Sequence, residues 1–155
     1  LRDHIKEVNE MEKTPPPTLR SRPITLTYEI PTSKIQKFWD EIKEGKIFAT
    51  KCKNCGKLNF PPVADCPACL SSDMEWVKLS GEGEIETFTH IPVKPPTFQS
   101  YDDYTIAIAR LKEGVRALAW LTGVKLPDTK VGMKVKLVAK TTPEGTLTYE
   151  FVPIK

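Results

Sequence analysis

The spacing of apolar residues changes character along this chain. Leu1, Ile5, Val8 and Met11 recur at helical spacing among charges, a stripe so thin that a helix there needs a partner surface. Thr14-Pro15-Pro16-Pro17-Thr18 follows. Three consecutive prolines fix φ and remove donors, so this stretch reads as an extended spacer. Ser33-Lys34-Ile35-Gln36 then has the pattern of a capping box. Ile35, Phe38, Trp39 and Ile42 fall at i, i+3, i+4 and i+7, one apolar face. The spacing predicts an amphipathic helix over residues 33–44, stopped by Gly45. Its bulky face must cover something. Phe38 and Trp39 are expected either to pack on their own chain or to dock on another protein, and they stand as the candidate partner-binding pair.

Beyond Gly81 the pattern becomes that of strands. Residues 84–91, 104–112, 115–122, 131–140 and 147–152 are the candidates. Glu113-Gly114 is a short turn between the second and third. In the fourth, Val135, Leu137 and Ala139 alternate with Lys134, Lys136, Val138 and Lys140. Five short strands in about 70 residues suit a small barrel of the OB type. The longest connection, residues 92–103, carries three prolines and separates the first strand from the second. The architecture expected is mainly β with N-terminal helices: a helical arm with a Pro-rich spacer over residues 1–46, a zinc ribbon over 47–79 and a five-stranded OB-fold domain over 80–155.

Cys52-Lys53-Asn54-Cys55 and Cys66-Pro67-Ala68-Cys69 lie between the arm and the strands, separated by ten residues. Each pair can set two thiolates on one side of a tight turn. Two such turns joined by a hairpin supply tetrahedral sulfur ligation at ~2.3 Å. One structural zinc per chain, held by Cys52, Cys55, Cys66 and Cys69, is the expected occupant. Iron is the chemical competitor. Disulfides are disfavoured by the absence of a visible secretory signal. With four protein ligands no position is left for water or substrate, which argues against catalytic zinc.

Other chemistry is sparse. His4 and His90 are the only histidines, and no Ser–His–acid set can be nominated. No glycine loop of phosphate-cradling form occurs. Glu82, Glu84 and Glu86 alternate along one strand and read as a solvated acidic face. The chain is therefore expected not to be an enzyme by itself. No run approaches the roughly 18–20 apolar residues of a membrane helix, so no membrane role and a cytoplasmic location are expected. Single-strand nucleic-acid binding is the alternative for an OB barrel, but the three glutamates with Asp102 and Asp103 oppose a phosphate track.

An ordered set of residues resembles a known family. Phe60-Pro61-Pro62, Cys66-Pro67-Ala68-Cys69, Trp76, Ser80-Gly81-Glu82-Gly83-Glu84-Ile85, Glu113-Gly114-Val115-Arg116 and Val131-Gly132-Met133-Lys134-Val135 are similar to the domain-of-unknown-function 35 family. The resemblance covers roughly residues 33–155. It implies a rubredoxin-like zinc ribbon followed by an OB fold, of the archaeal type. It also implies an accessory scaffold that binds acyl-CoA and bridges a thiolase and a hydroxymethylglutaryl-CoA synthase, passing acetoacetyl-CoA between them in mevalonate or lipid metabolism. Many relatives carry an arginine soon after the Pro-Pro pair; here Val63-Ala64-Asp65 stands there. On this reading CoA phosphates would want arginine or lysine. Lys94, Arg110 and Arg116 are the candidates, with Phe98, Tyr101 and Tyr104 packing adenine or pantetheine.

Charge changes the picture last. The 23 Lys+Arg against 20 Asp+Glu give +3. Four thiolates around one Zn²⁺ lower this to about +1, so the basic hint toward nucleic acid nearly vanishes.

Overall fold

The computed structural model describes residues 17–19, 21, 28–142 and 145–154. The stripe expected over residues 1–12 and the first prolines of the spacer lie outside the described residues. The chain divides into two units, Leu1–Ile30 and Pro31–Lys155. Among the described residues, every helix and strand belongs to the second.

Helix α1 spans Gln36–Lys43 and is preceded by a 3-10 turn, Ser33–Ile35. The expected capping box is not formed, because no side chain caps either segment. The Gln36 side chain is engaged elsewhere. Thr32 Oγ1 donates to Gln36 Oε1 at 2.9 Å, and Gln36 Nε2 donates to Asp40 Oδ1 at 3.2 Å. The helix ends where Gly45 was expected to end it, with the Gly45 N–H donating to the Ile42 carbonyl at 3.0 Å.

Three short strands follow: β1 Phe48–Cys52, β2 Leu58–Asn59 and β3 Met74–Lys78. They form an antiparallel sheet in the order β2-β1-β3. Then come β4 Glu82–Ile91, β5 Tyr104–Leu111, β6 Arg116–Leu121, β7 Lys134–Thr141 and β8 Leu147–Pro153. These close into a barrel in the order β4-β5-β6-β8-β7, with β7 pairing back to β4. The parallel contact between β6 and β8 rests on Trp120↔Glu150 and Leu121↔Phe151. Closure removes the free edges that an open sheet would expose.

The five barrel strands sit where their periodicity placed them. The largest difference is β7, which starts at Lys134 because Val131-Gly132-Met133 turns. There the Gly132 N–H donates to the Ile85 carbonyl at 2.8 Å and the Met133 N–H to the Lys130 carbonyl at 3.2 Å. A bulge between Ile85 and Thr87 makes Glu86 the extra residue of β4.

One apolar core runs through α1, the small sheet and the barrel. Phe38 and Ile42 from α1, Ile47 and Ala49 from β1 and its approach, and Leu79 after β3 join Ile85, Val135, Leu137 and Phe151 of the barrel. The junction is aromatic. Phe38 meets Phe60 at 6.2 Å and Tyr149 at 6.3 Å, and Phe60 meets Tyr149 at 5.1 Å, all edge-on. Edge-to-face contacts of this kind add about 0.5–1.5 kcal/mol beyond burial.

Inside the barrel, β5 and β6 contribute Ala107, Ala109, Ala117 and Ala119 beside Leu111 and Leu121. Their larger side chains at alternate positions point outward. Gly83 of β4 lies where β5 approaches closely. A Cβ there would come within 2.5 Å of the Arg110 carbonyl oxygen and 2.9 Å of Leu111 Cδ2.

Two substitutions test this packing by denaturant unfolding. Phe38→Ala empties the centre of the aromatic junction and is expected to cost about 3–5 kcal/mol. Gly83→Ala forces β4 from β5 and is expected to cost about 1–3 kcal/mol; an unchanged midpoint would show that the strands can part there freely.

Candidate functional site

The first knuckle follows β1 directly. The Gly56 N–H donates to the Cys52 carbonyl at 2.8 Å, and the Cys52 N–H donates to Lys57 at 2.9 Å. The second repeats this pattern four and five residues on from Cys66. There the Leu70 N–H donates to Cys66 at 2.9 Å, and the Cys66 N–H to Ser71 at 2.9 Å. Leu70 takes the left-handed conformation, φ 59°, that a glycine holds in the first knuckle. The loop between the knuckles is tied to β1 by buried Thr50. Its hydroxyl donates to the Val63 carbonyl at 3.1 Å and accepts the Val63 N–H at 2.9 Å.

The four Cys Sγ atoms lie within 4.8 Å of one another. Cys52 and Cys69 are 3.5 Å apart, and Cys55 and Cys66 are 3.6 Å apart. Tetrahedral sulfurs ~2.3 Å from a metal stand ~3.8 Å from each other, whereas a disulfide needs ~2.05 Å. The geometry fits a metal, and none of the four is in a disulfide.

The surroundings favour the thiolate at two of the four cysteines, Cys66 and Cys69. The Asn54 amide, the Ser71 N–H and the Cys52 thiol draw the Cys69 thiol down to about 6. The Ala68 and Cys69 N–H groups lower Cys66. At Cys55 the Lys57 N–H pulls down, but bonds with the other three sulfurs and desolvation outweigh it and push the thiol up to about 12. The surroundings thus lower the Cys66 and Cys69 thiols and raise that of Cys55. A divalent cation satisfies all four.

A second cluster lies on the outer side of β5 and β6. Phe98 and Tyr101 come from the long β4–β5 connection, which contains a 3-10 turn at Pro96–Phe98. Tyr104 opens β5 and Trp120 lies near the end of β6. Tyr104 stacks on Trp120 with centroids 4.4 Å apart and planes 15° from parallel. Phe98 packs at 5.6 Å from Tyr101, 5.9 Å from Tyr104 and 6.1 Å from Trp120. The three aromatics nominated for a ligand thus converge. Trp120 completes them and was not nominated. The alternation Ala117, Leu118, Ala119, Trp120 could have placed it on the face of Tyr104.

The nominated cations are engaged. Lys94 Nζ donates to the Tyr101 carbonyl at 2.7 Å and pairs with Asp103 at 3.0 Å, with its side chain only 15% exposed. Arg110 and Arg116 share Glu86, at 2.6 Å and 2.5 Å. Both guanidiniums hold the Glu86 carboxyl below its ordinary range, Arg116 most strongly. Glu82 pairs with Lys112 and Glu84 with Lys134. The alternating glutamates thus form a ladder of ion pairs in place of a free acidic face. Lys94, Arg110 and Arg116 are struts within the chain before they are ligands to anything else.

The other nominated pair separates. Phe38 is 2% exposed and belongs to the chain's own core. That burial corrects its assignment to a partner surface, since its ring is already covered. Trp39 is half-buried against the same core, and its indole Nε1 is buried with no hydrogen-bond partner. His90 bonds Thr105 Oγ1 through Nδ1 at 3.1 Å. Among the described residues no helix is long and apolar enough to cross a membrane.

Comparison with known proteins agrees with both modules. Residues 39–75 match the family described as ChsH2, rubredoxin-like zinc ribbon domain, and residues 76–140 match ChsH2, C-terminal OB-fold domain. A "DUF35 domain-containing scaffold protein" of Methanocaldococcus jannaschii is 33% identical over 84% of this chain and 98% of its own length. "Benzoylsuccinyl-CoA thiolase subunit BbsA" of Thauera aromatica is 32% identical over 47% of this chain and 49% of its own. Among solved structures, a chain of the "Ltp2-ChsH2(DUF35) aldolase" superposes with a TM-score of 0.64 at 26% identity. That match covers 76% of this chain and 92% of the other. It overturns the expectation that the chain lies outside catalysis, because a similarly built chain is part of an aldolase. The named relatives tie this architecture to acyl-CoA and thiolase-related metabolism. With ribbon and barrel matched in order, and an archaeal relative aligned over nearly its whole length, the chain belongs to the DUF35 family.

Proposed function

We propose that this protein is a subunit of an acyl-CoA-processing assembly, holding acyl-CoA on its OB domain beside a thiolase-type enzyme. In the form implied by the family, it bridges that enzyme and a hydroxymethylglutaryl-CoA synthase, so that acetoacetyl-CoA passes between them. The observation that carries this reading is the convergence of Phe98, Tyr101, Tyr104 and Trp120 on β5 and β6. Those strands and their flanking loops form the ligand face of OB barrels. Flat rings suit an adenine or a pantetheine arm. A nucleic-acid strand would need unpaired cations along the same track. Here Arg110 and Arg116 are both engaged by Glu86, and Lys94 is engaged by Asp103.

The metal in this reading is zinc at Cys52, Cys55, Cys66 and Cys69. When bound it supplies a fixed cross-link between the two knuckles. The chain's own residues do the rest: Asn54 and the second knuckle's N–H groups favour the anionic form of Cys66 and Cys69, and Thr50 fastens the intervening loop to β1.

Elemental analysis is expected to return one zinc per chain, in colourless protein. A red, iron-containing protein would overturn the assignment. Because ribbon and barrel share one core, a strong chelator is expected to lower the melting temperature of the barrel as well. Barrel melting that ignores chelation would show two independent modules.

Calorimetry with acetoacetyl-CoA tests the ligand. Trp120→Ala removes a stacking ring, a change worth about 1–3 kcal/mol at aromatic–base contacts. It is expected to weaken binding about 5- to 150-fold without changing zinc content. Equal affinity of wild type and variant would remove the aromatic cluster from the ligand site.

A further inference from the structure

We infer that Glu150 sets ligand specificity at the aromatic cluster: its Oε1 accepts a hydrogen bond from the amino group of a flat heterocycle, the adenine of an acyl-CoA. The assignment rests on the function proposed above and names the part of the ligand that is read. A carboxylate on the outer side of a barrel strand is ordinarily left to water. Glu150 is only 8% exposed. Register puts it opposite Trp120 of β6 and Val138 of β7, and residues paired in this way share one face of the sheet. Thr122 stands two residues beyond Trp120 on the same side, and its N–H continues the ladder to the Phe151 carbonyl at 2.9 Å. The Thr122 hydroxyl donates to Glu150 Oε2 at 3.0 Å. The carboxylate is thereby fixed next to the Trp120 position. In the strand order β5-β6-β8, Tyr104 flanks Trp120 on one side and Glu150 flanks it on the other.

The way this carboxylate is held selects what it can bind. Lys140 Nζ also donates to Oε2, at 2.9 Å. A carboxylate oxygen has two lone pairs, and both on Oε2 are used. Among the described residues no donor reaches Oε1, and the atom is not sealed in the interior. A charged acceptor therefore stands open beside a stack of rings. A guanine edge donates from two adjacent nitrogens, so it needs both oxygens and finds one. A cationic group meets a carboxylate already paired one to one with the Lys140 ammonium. A neutral amino group on a flat ring needs one acceptor and a stacking surface, and both are present. Adenine offers that group. The pantetheine amides donate as well, so the decisive probe is one that changes the ring alone.

The test is calorimetry on the zinc-loaded full chain with two probes. One is acetoacetyl-CoA; the other is its analogue with a carbonyl oxygen in place of the purine 6-amino group. A hydrogen bond to a charged acceptor predicts that wild type binds acetoacetyl-CoA about 10- to 100-fold more tightly than the analogue. In Glu150→Gln, Thr122 and Lys140 both still require an acceptor, so the amide oxygen turns to them and the NH₂ takes the Oε1 position. A donor then stands where the acceptor was, and the variant is expected to bind the analogue at least as tightly as acetoacetyl-CoA. Loss of packing alone would weaken both probes together and leave the ratio unchanged. Zinc content and melting temperature report folding. If Glu150→Gln fails to fold, Glu150→Asp decides, since it withdraws Oε1 by one methylene and is expected to abolish most of the preference. If wild type binds both probes alike, the inference is overturned and the proposed function stands. A preference that survives in a folded Glu150 variant also overturns it, because the amino group is then read elsewhere. If wild type binds neither probe, the inference and the proposed acyl-CoA site fall together.

Discussion

Three rings hold this molecule together. Phe38 comes from the helix, Phe60 from the loop between the cysteine knuckles and Tyr149 from the last barrel strand, and they meet edge-on within 6.3 Å. A ribbon of about 30 residues buries too little apolar surface to be stable unaided. A small barrel with alanines lining two strands has little interior volume to spare. The aromatic junction gives both modules a shared core and sets the helix across them. The position of the knuckles relative to the barrel follows from it.

Electrostatics in the barrel is local. Each glutamate of β4 finds a cation on a neighbouring strand or turn: Lys112, Lys134, or Arg110 together with Arg116. Exposed pairs of this kind contribute little to stability. Their consequence here is for recognition, because they engage the cations that a phosphate chain would seek. The cysteine cluster obeys the opposite logic. Backbone N–H groups and Asn54 favour negative charge on the sulfurs of Cys66 and Cys69, and a cation would complete the arrangement.

Much of this was legible along the chain. Hydrophobic period and turn residues marked α1 and all five barrel strands to within a few residues, and the two Cys-x-x-Cys pairs marked the metal-binding cluster by spacing alone. The misreadings have specific causes. Ser33-Lys34-Ile35-Gln36 has the letters of a capping box, yet Gln36 spends its side chain on Thr32 and Asp40. Arg110 and Arg116 looked available because a β-bulge that brings Glu86 between them leaves no trace in composition. Phe38 looked like a docking residue because a helix stripe names its face without naming what covers it. That a similarly built chain is part of an aldolase could not be seen either, since a residue inventory of one chain says nothing of assemblies.

The sequence by itself determined the local elements, the metal-binding knuckles and the order of ribbon before barrel. Each of these depends on residues close in the chain. Which side of β5 and β6 faces the core was decided only by the tertiary structure. Residues 105–109 and 117–121 are apolar or small on both alternating sets, so a period of two marks a strand without choosing its inner face. The closed barrel makes the choice by volume: its interior accepts alanines on these strands, and Ile106, Ile108, Leu118 and Trp120 are left outside.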